Sequence, residues 1–222
     1  MHPATPLRAR ARRLLGAALL LWAPLLCAAA TPLDAYLDNL KTLRASFLQT
    51  LADTHGREID RATGTLIVQR PGKFSWEIHP QAAAGGNSGA GQLMVCDGTN
   101  LWFFDRDLQQ VTVKPVDAAL SATPAMLLSG ATDLRQNFTI SAAGHRAGLE
   151  WVLVEPTSAE ADFRRALFGF DGSELKRMIV EDKLGQTATI MFQQVVRNAP
   201  VAPGDVSFTP PKDVDVIGTP HS

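Results

Sequence analysis

Apolar side chains recur at three- and four-residue intervals early in the chain, where Leu33, Tyr36, Leu37, Leu40, Leu43 and Phe47 share one helical face. Thr31-Pro32 stands ahead of them as an N-cap followed by a first-turn proline. The spacing therefore predicts a helix over about 33–51. From about residue 55 the period drops to two. Leu66, Val68 and Arg70 fall on one face of a predicted strand, Pro71-Gly72 turns the chain, and Phe74, Trp76 and Ile78 share one face of the next strand. Residues 82–92, rich in Ala and Gly, read as a long hairpin loop.

Asp97-Gly98 is a hairpin signal between the apolar runs 93–96 and 101–104. A strand follows over 109–115 with Val111 and Val113 in phase. Thr123-Pro124 opens a short helix through Met126, Leu127 and Leu128, stopped by Gly130. Alternation returns at 137–141, 149–155, 163–170, 175–181 and 187–196, and a last strand is expected around 206–209 before Pro210-Pro211. Ten or eleven antiparallel strands, one leading helix and one short middle helix predict a mainly β (α+β) fold. Such a set forms a large curved sheet wrapped around a hollow that the helices fill or cap.

The N-terminus changes how the rest is counted. Arg8, Arg10, Arg12 and Arg13 precede an apolar run over Leu14–Leu26, and Ala28-Ala29-Ala30 offers a small-residue cleavage site. That is the layout of a secretory signal peptide over 1–30, too short to span a bilayer. Leu26 stands where a lipid-modified cysteine would need a small residue, which argues against modification of Cys27. Residues 31–222, with no dividing linker, form one expected domain. Loss of the four arginines leaves 17 basic and 22 acidic side chains, a net charge of about −5, with no basic stripe of the kind nucleic-acid binders carry. Cys96 is then the single cysteine, so no disulfide can form within the domain.

No catalytic constellation emerges. Gly86-Asn87-Ser88-Gly89-Ala90 fails the nucleophile-elbow pattern at its last position. His55, His79, His145 and His221 lie far apart, without metal-ligand spacing, and read as exposed loop residues. Cys96, at the end of an apolar strand, reads as a buried inert thiol. The chain is expected to need no cofactor and to be no enzyme.

Arg70 is the polar residue out of place. On the face of Leu66 and Val68 its guanidinium points into an apolar hollow, cannot shed its proton and must find oxygen acceptors. The unpaired carbonyls at a helix end supply them, which would make Arg70 a latch on a lid helix. The other reading is that Arg70 ends its strand and reaches water beside Pro71. The pattern alone leaves both open.

Several runs together resemble one family, the LolA family of outer-membrane lipoprotein carriers. They are Ala45-Ser46-Phe47-x-Gln49, Gly64-x-Leu66-x-Val68-x-Arg70-Pro71-x-x-Phe74-x-Trp76, Asp97-Gly98-x-x-Leu101-Trp102-Phe103, Thr123-Pro124-x-Met126-Leu127-Leu128 and Phe208-Thr209-Pro210-Pro211. The resemblance covers essentially all of residues 31–222. It implies an unclosed antiparallel β-barrel of about 11 strands with a helical lid over a hydrophobic cavity. It implies a periplasmic monomer that takes acylated lipoproteins from an inner-membrane ABC-type release complex and hands them to an outer-membrane receptor. The family's latch arginine matches Arg70, bonding to lid backbone at Leu37, Leu128 and Ser129, and Phe74 matches a position tied to exchange with the membrane machinery. Phe47, Trp76, Trp102, Met126 and Leu127 are the candidate cavity residues. The 82–92 insert and Ala125, where phenylalanine is more usual, depart from the family pattern and bear on cargo preference. A carrier of another envelope lipid, or a lipid-sensing regulator of envelope stress, are the alternatives the same fold allows. The regulators usually carry a further domain.

Overall fold

The computed structural model describes residues 30–82, 88–117, 123–130, 134–159 and 161–221. The expected signal peptide and the centre of the 82–92 loop lie outside them. The chain begins with helix α1 (Pro32–Asp38), then strands β1 (Thr42–Ala52), β2 (Glu58–Gln69), β3 (Lys73–Pro80), β4 (Gln92–Asp97), β5 (Asn100–Asp105) and β6 (Gln110–Pro115). Helices α2 (Pro124–Ser129) and α3 (Leu134–Asn137) follow. After them come β7 (Phe138–Arg146), β8 (Leu149–Pro156), β9 (Phe163–Asp171), β10 (Glu174–Asp182), β11 (Thr187–Arg197) and β12 (Asp215–Ile217).

Among the described residues twelve strands form one open sheet in the order β12-β6-β5-β4-β3-β2-β1-β11-β10-β9-β8-β7. Neighbours pair antiparallel except β12, which lies parallel to β6. The outermost strands, β12 and β7, leave the sheet unclosed. It is nevertheless strongly curved, because Phe103 of β5 and Met178 of β10, six positions apart in the sheet, line one cavity. Among the described residues no helix is long and apolar enough to cross a membrane.

The leading helix is much shorter than its apolar spacing predicts. Thr31 and Asp34 form a reciprocal capping box, and Pro32 occupies the first turn, so the start is as expected. The helix ends at Asp38, and residues 42–52 are a strand paired on both sides, with β2 and β11. Leu43, Ala45 and Phe47 alternate inward and are almost fully buried. Leu43 and Phe47 fit a helical spacing only because four residues is also two full β periods. The Asn198 side-chain carbonyl accepts from the Lys41 N–H at 2.8 Å and the Asn198 backbone N–H donates to the Thr42 carbonyl at 2.8 Å, holding the start of β1 against the end of β11. Long-range pairing overrides the local pattern here.

The concave face of the sheet carries the main core. Leu33, Tyr36 and Leu37 of α1 and Met126, Leu127 and Leu128 of α2 dock into it with Leu66, Val68, Phe74, Phe168 and Met178. A second, smaller core lies on the convex face, where Val95, Trp102, Phe104, Val111 and Val113 are covered by Phe208 and Val214 of the C-terminal segment. The strand expected around 206–209 is absent: a 3-10 turn (Pro203–Val206) leads into an irregular stretch whose Phe208 ring packs on Trp102 and Phe104 at 5.7 and 5.9 Å. The final ladder forms later, as β12.

Candidate functional site

The turn between β2 and β3 is where sheet and helices are joined. Arg70 N–H donates to the Lys41 carbonyl, just past α1, at 2.8 Å, and Gly72 N–H donates to the carbonyl of Ser129, the last residue of α2, at 2.8 Å. The Cys96 thiol of β4 donates to the Gly72 carbonyl at 3.0 Å. Three elements therefore converge on Arg70-Pro71-Gly72, whose Arg70–Pro71 peptide is cis.

The guanidinium adds the side-chain contact. Its Nη1 donates to the carbonyl of Leu37 at 2.5 Å, one of the partly charged acceptors that every helix C-terminus presents. Its flank lies on Gly130, which closes α2 in the left-handed region at φ 65°. A Cβ at that glycine would stand 2.7 Å from Nε and from Nη2, so only glycine admits both the backbone turn and the cation. Burial pulls the Arg70 pKa below the ordinary arginine value, with Asp38 opposing; the side chain remains charged at any physiological pH.

Of the three lid positions expected to meet Arg70, Leu37 receives its hydrogen bond. Among the described residues the guanidinium makes none to Leu128 or Ser129. The Ser129 carbonyl is taken by the Gly72 N–H instead, the Ser129 hydroxyl donates to the Met126 carbonyl at 2.8 Å, and Leu128 is a fully buried core side chain. The shared grip of backbone and side chain was not legible in the sequence, although the turn signal at Pro71-Gly72 marks its place.

Farther along the concave face lies a cavity of about 190 Å³. Ile78, Gln92, Val180 and Ala188 line it from strand ends opposite the Arg70 turn, joined by Trp76, Met94, Phe103, Met178 and Ile190. Thr123 and Ala125, at the start of α2, lie over it, and Gln49 adds a polar side chain. A second hollow of about 260 Å³ adjoins it, sharing Met94, Phe103 and Thr123 and reaching Leu101, Thr112, Lys114 and Asp162.

Trp76 is the candidate cavity residue that lines the first cavity. Phe47 supports it from behind, ring centroids 5.3 Å apart. Gly64 makes that possible: a Cβ there would meet the Phe47 ring at 2.3 Å and the Glu77 carbonyl at 2.1 Å. Phe74, Met126 and Leu127 are fully buried in the main core. Trp102 does not face the cavity. It is on the convex face, and its Nε1–H donates to Asp97 Oδ2 at 2.7 Å. Alternation along β5 decides this, since Leu101 and Phe103 point inward and Trp102 and Phe104 outward. Met178, Val180, Ala188 and Ile190 bring β10 and β11 into the lining, and none of them stood out in the sequence as a cavity residue.

The chain matches the family described as "Outer membrane lipoprotein carrier protein LolA" over residues 38–209. It is 38% identical over 186 residues to an "Outer-membrane lipoprotein carrier protein" of Dechloromonas aromatica, covering 84% of this chain and 86% of that one. A protein of the same description from Methylobacillus flagellatus is 35% identical over 186 residues, covering 84% and 87%. Among solved structures, an uncharacterized conserved protein from Thermus thermophilus shares the fold, with a TM-score of 0.50 at 12% identity over 84% of this chain and 96% of that one.

Proposed function

The chain belongs to the LolA family of outer membrane lipoprotein carrier proteins, and from that premise we propose that it shields lipoprotein acyl chains in the cavity beneath α2. In this reading it works in the periplasm after signal-peptide removal near Ala30. It takes triacylated cargo from an inner-membrane ABC-type release complex and delivers it to an outer-membrane receptor, acting as a monomer without catalysis. The observation that carries the reading is an apolar cavity beneath α2, whose end is tied through the Gly72 N–H to the same turn whose Arg70 guanidinium holds α1.

The cavity is small while the helices are docked. A void of roughly 150 Å³ accepts benzene, so about 190 Å³ takes only a short length of chain. Three acyl chains require α1 and α2 to move outward, and the contacts at Arg70 and Gly72 are what that movement breaks. The energetics favour such resistance. Three chains of about 16 carbons hold about 45 methylenes, worth roughly 0.8 kcal/mol each, or about 36 kcal/mol on full transfer from water. That exceeds the practical affinity ceiling of about 18–21 kcal/mol. A carrier must let go, and the broken latch and displaced core offset part of the gain. On this account Arg70→Leu binds cargo but releases it poorly to the receptor.

The test is complex formation between the protein without residues 1–30 and a triacylated lipoprotein, beside the same polypeptide without its acyl chains. A complex with the acylated form only supports the carrier reading. Binding of free phospholipid with no complex favours a carrier of another envelope lipid, and binding of neither overturns the cavity's role.

A further inference from the structure

Two polar atoms are out of place on residues that line the cavity. Trp76 Nε1 and Thr123 Oγ1 are both buried, and neither has a hydrogen-bond partner among the described residues. Both side chains line the same cavity, one from β3 and one from the residue that precedes α2. Thr123 stands where a hydroxyl ordinarily caps a helix, yet its side chain makes no cap bond. Buried polar atoms are almost always paired, so two orphans in one apolar wall need a physical account.

The donor inventory narrows what could satisfy them. An indole N–H donates and cannot accept, so its partner must be an acceptor; a hydroxyl can do either. A hydrocarbon chain supplies nothing to either atom. An ester or amide carbonyl does, and each acyl chain of a lipid-modified polypeptide carries one where it joins its head. Resting on the carrier reading above, we propose that Trp76 Nε1–H and Thr123 Oγ–H form a carbonyl-recognition subsite for acyl esters and amides. It would fix how far a chain enters and select acylated cargo over free hydrocarbon.

Thr123 and Ala125 belong to the segment over the cavity, whereas Trp76 belongs to the sheet, braced by Phe47 at 5.3 Å. A carbonyl bonded to both would link the displaced α2 to the wall and replace the contact that opening breaks. Both groups are already desolvated and unpaired in the free protein, so an acceptor that reaches them gains hydrogen bonds without that cost, whereas a hydrocarbon gains none.

Equilibrium uptake of methyl decanoate and of decane by the protein without residues 1–30, measured after gel filtration, tests this. The ester is expected to bind about tenfold more tightly than the hydrocarbon, the effect of one added hydrogen bond. That ratio falls toward one in Trp76→Phe and in Thr123→Val. In the wild-type protein the Trp76 indole N–H resonance moves downfield with the ester and not with decane, a readout independent of variant stability. Equal uptake of both ligands, an unchanged ratio in both variants, or an indole resonance indifferent to the ester overturns the subsite while leaving the apolar cavity intact. Uptake of neither ligand overturns the cavity reading and the subsite with it.

Discussion

The Arg70 guanidinium donates to the carbonyl of Leu37, 33 residues earlier in the chain, and so ties the end of α1 to the turn between β2 and β3. The same turn holds the end of α2 through the Gly72 N–H and the Ser129 carbonyl. One three-residue turn therefore restrains both helices that cover the concave face.

Cys96 reports on that restraint. Its thiol is fully buried, burial raises its pKa, and it bonds to the Gly72 carbonyl inside the turn. The reactive species is the thiolate, so labelling by an aromatic disulfide at neutral pH is slow in the wild-type protein. Arg70→Leu removes the Leu37 contact and is expected to speed labelling about tenfold, the effect of losing roughly 1.5 kcal/mol of closing energy. An unchanged rate would mean the guanidinium contributes little to holding the helices.

Ala125 is almost fully buried and lines the cavity. Ala125→Phe places there a ring about the size of the benzene that a void of roughly 150 Å³ accepts. Bound decane per protein should fall by about half or more, with thermal stability unchanged or raised. Undiminished uptake would place the apolar ligand elsewhere.

The convex core makes the opposite prediction. Phe208 packs on Trp102 and Phe104 across the sheet from the cavity. Phe208→Ala should cost about 2–3 kcal/mol in denaturant unfolding, below the usual range for a fully enclosed phenylalanine because this one is partly exposed. Its uptake of decane should match the wild-type value. Loss of uptake at full stability would contradict the separation of the two cores.

Asp34 gives the fold an acid-sensitive tie. Burial works to raise its pKa, but hydrogen bonds from Thr31 and the charge and hydrogen bonds of Arg135 hold it below the ordinary carboxylate value. Arg135 Nη2 lies 3.0 Å from both carboxylate oxygens, joining α1 to α3. A folded-state pKa below the unfolded one stabilises fully above the unfolded value and is lost as pH falls through the folded value. Asp34→Asn should therefore cost about 1 kcal/mol at pH 7, and the difference from wild type should shrink below about pH 4. A difference independent of pH would assign the effect to shape rather than charge.

The strand framework was legible because alternation, Asp97-Gly98 and Pro71-Gly72 all act locally. The stop of α2 at Gly130 was legible for the same reason. The end of α1 was not, because β1 is fixed by β11 and by Asn198 just past it, 157 residues from Lys41. The side of the sheet on which Trp102 falls could not be settled without knowing that the C-terminal segment covers the convex face. Arg70 stood out because a cation on an apolar face demands acceptors, but the pattern alone pointed no further than a helix end; Leu37 came from the family resemblance, and the part played by Gly72 was unseen.

Amide hydrogen exchange at Gly72 tests the central claim most directly, because its N–H donates to the Ser129 carbonyl only while α2 is docked. With a triacylated lipoprotein bound, protection at Gly72 should fall by about tenfold or more while amides in the middle of β1 and β2 stay protected. Equal protection at Gly72 with and without bound cargo would contradict an opening of the helices and the carrier mechanism built on it.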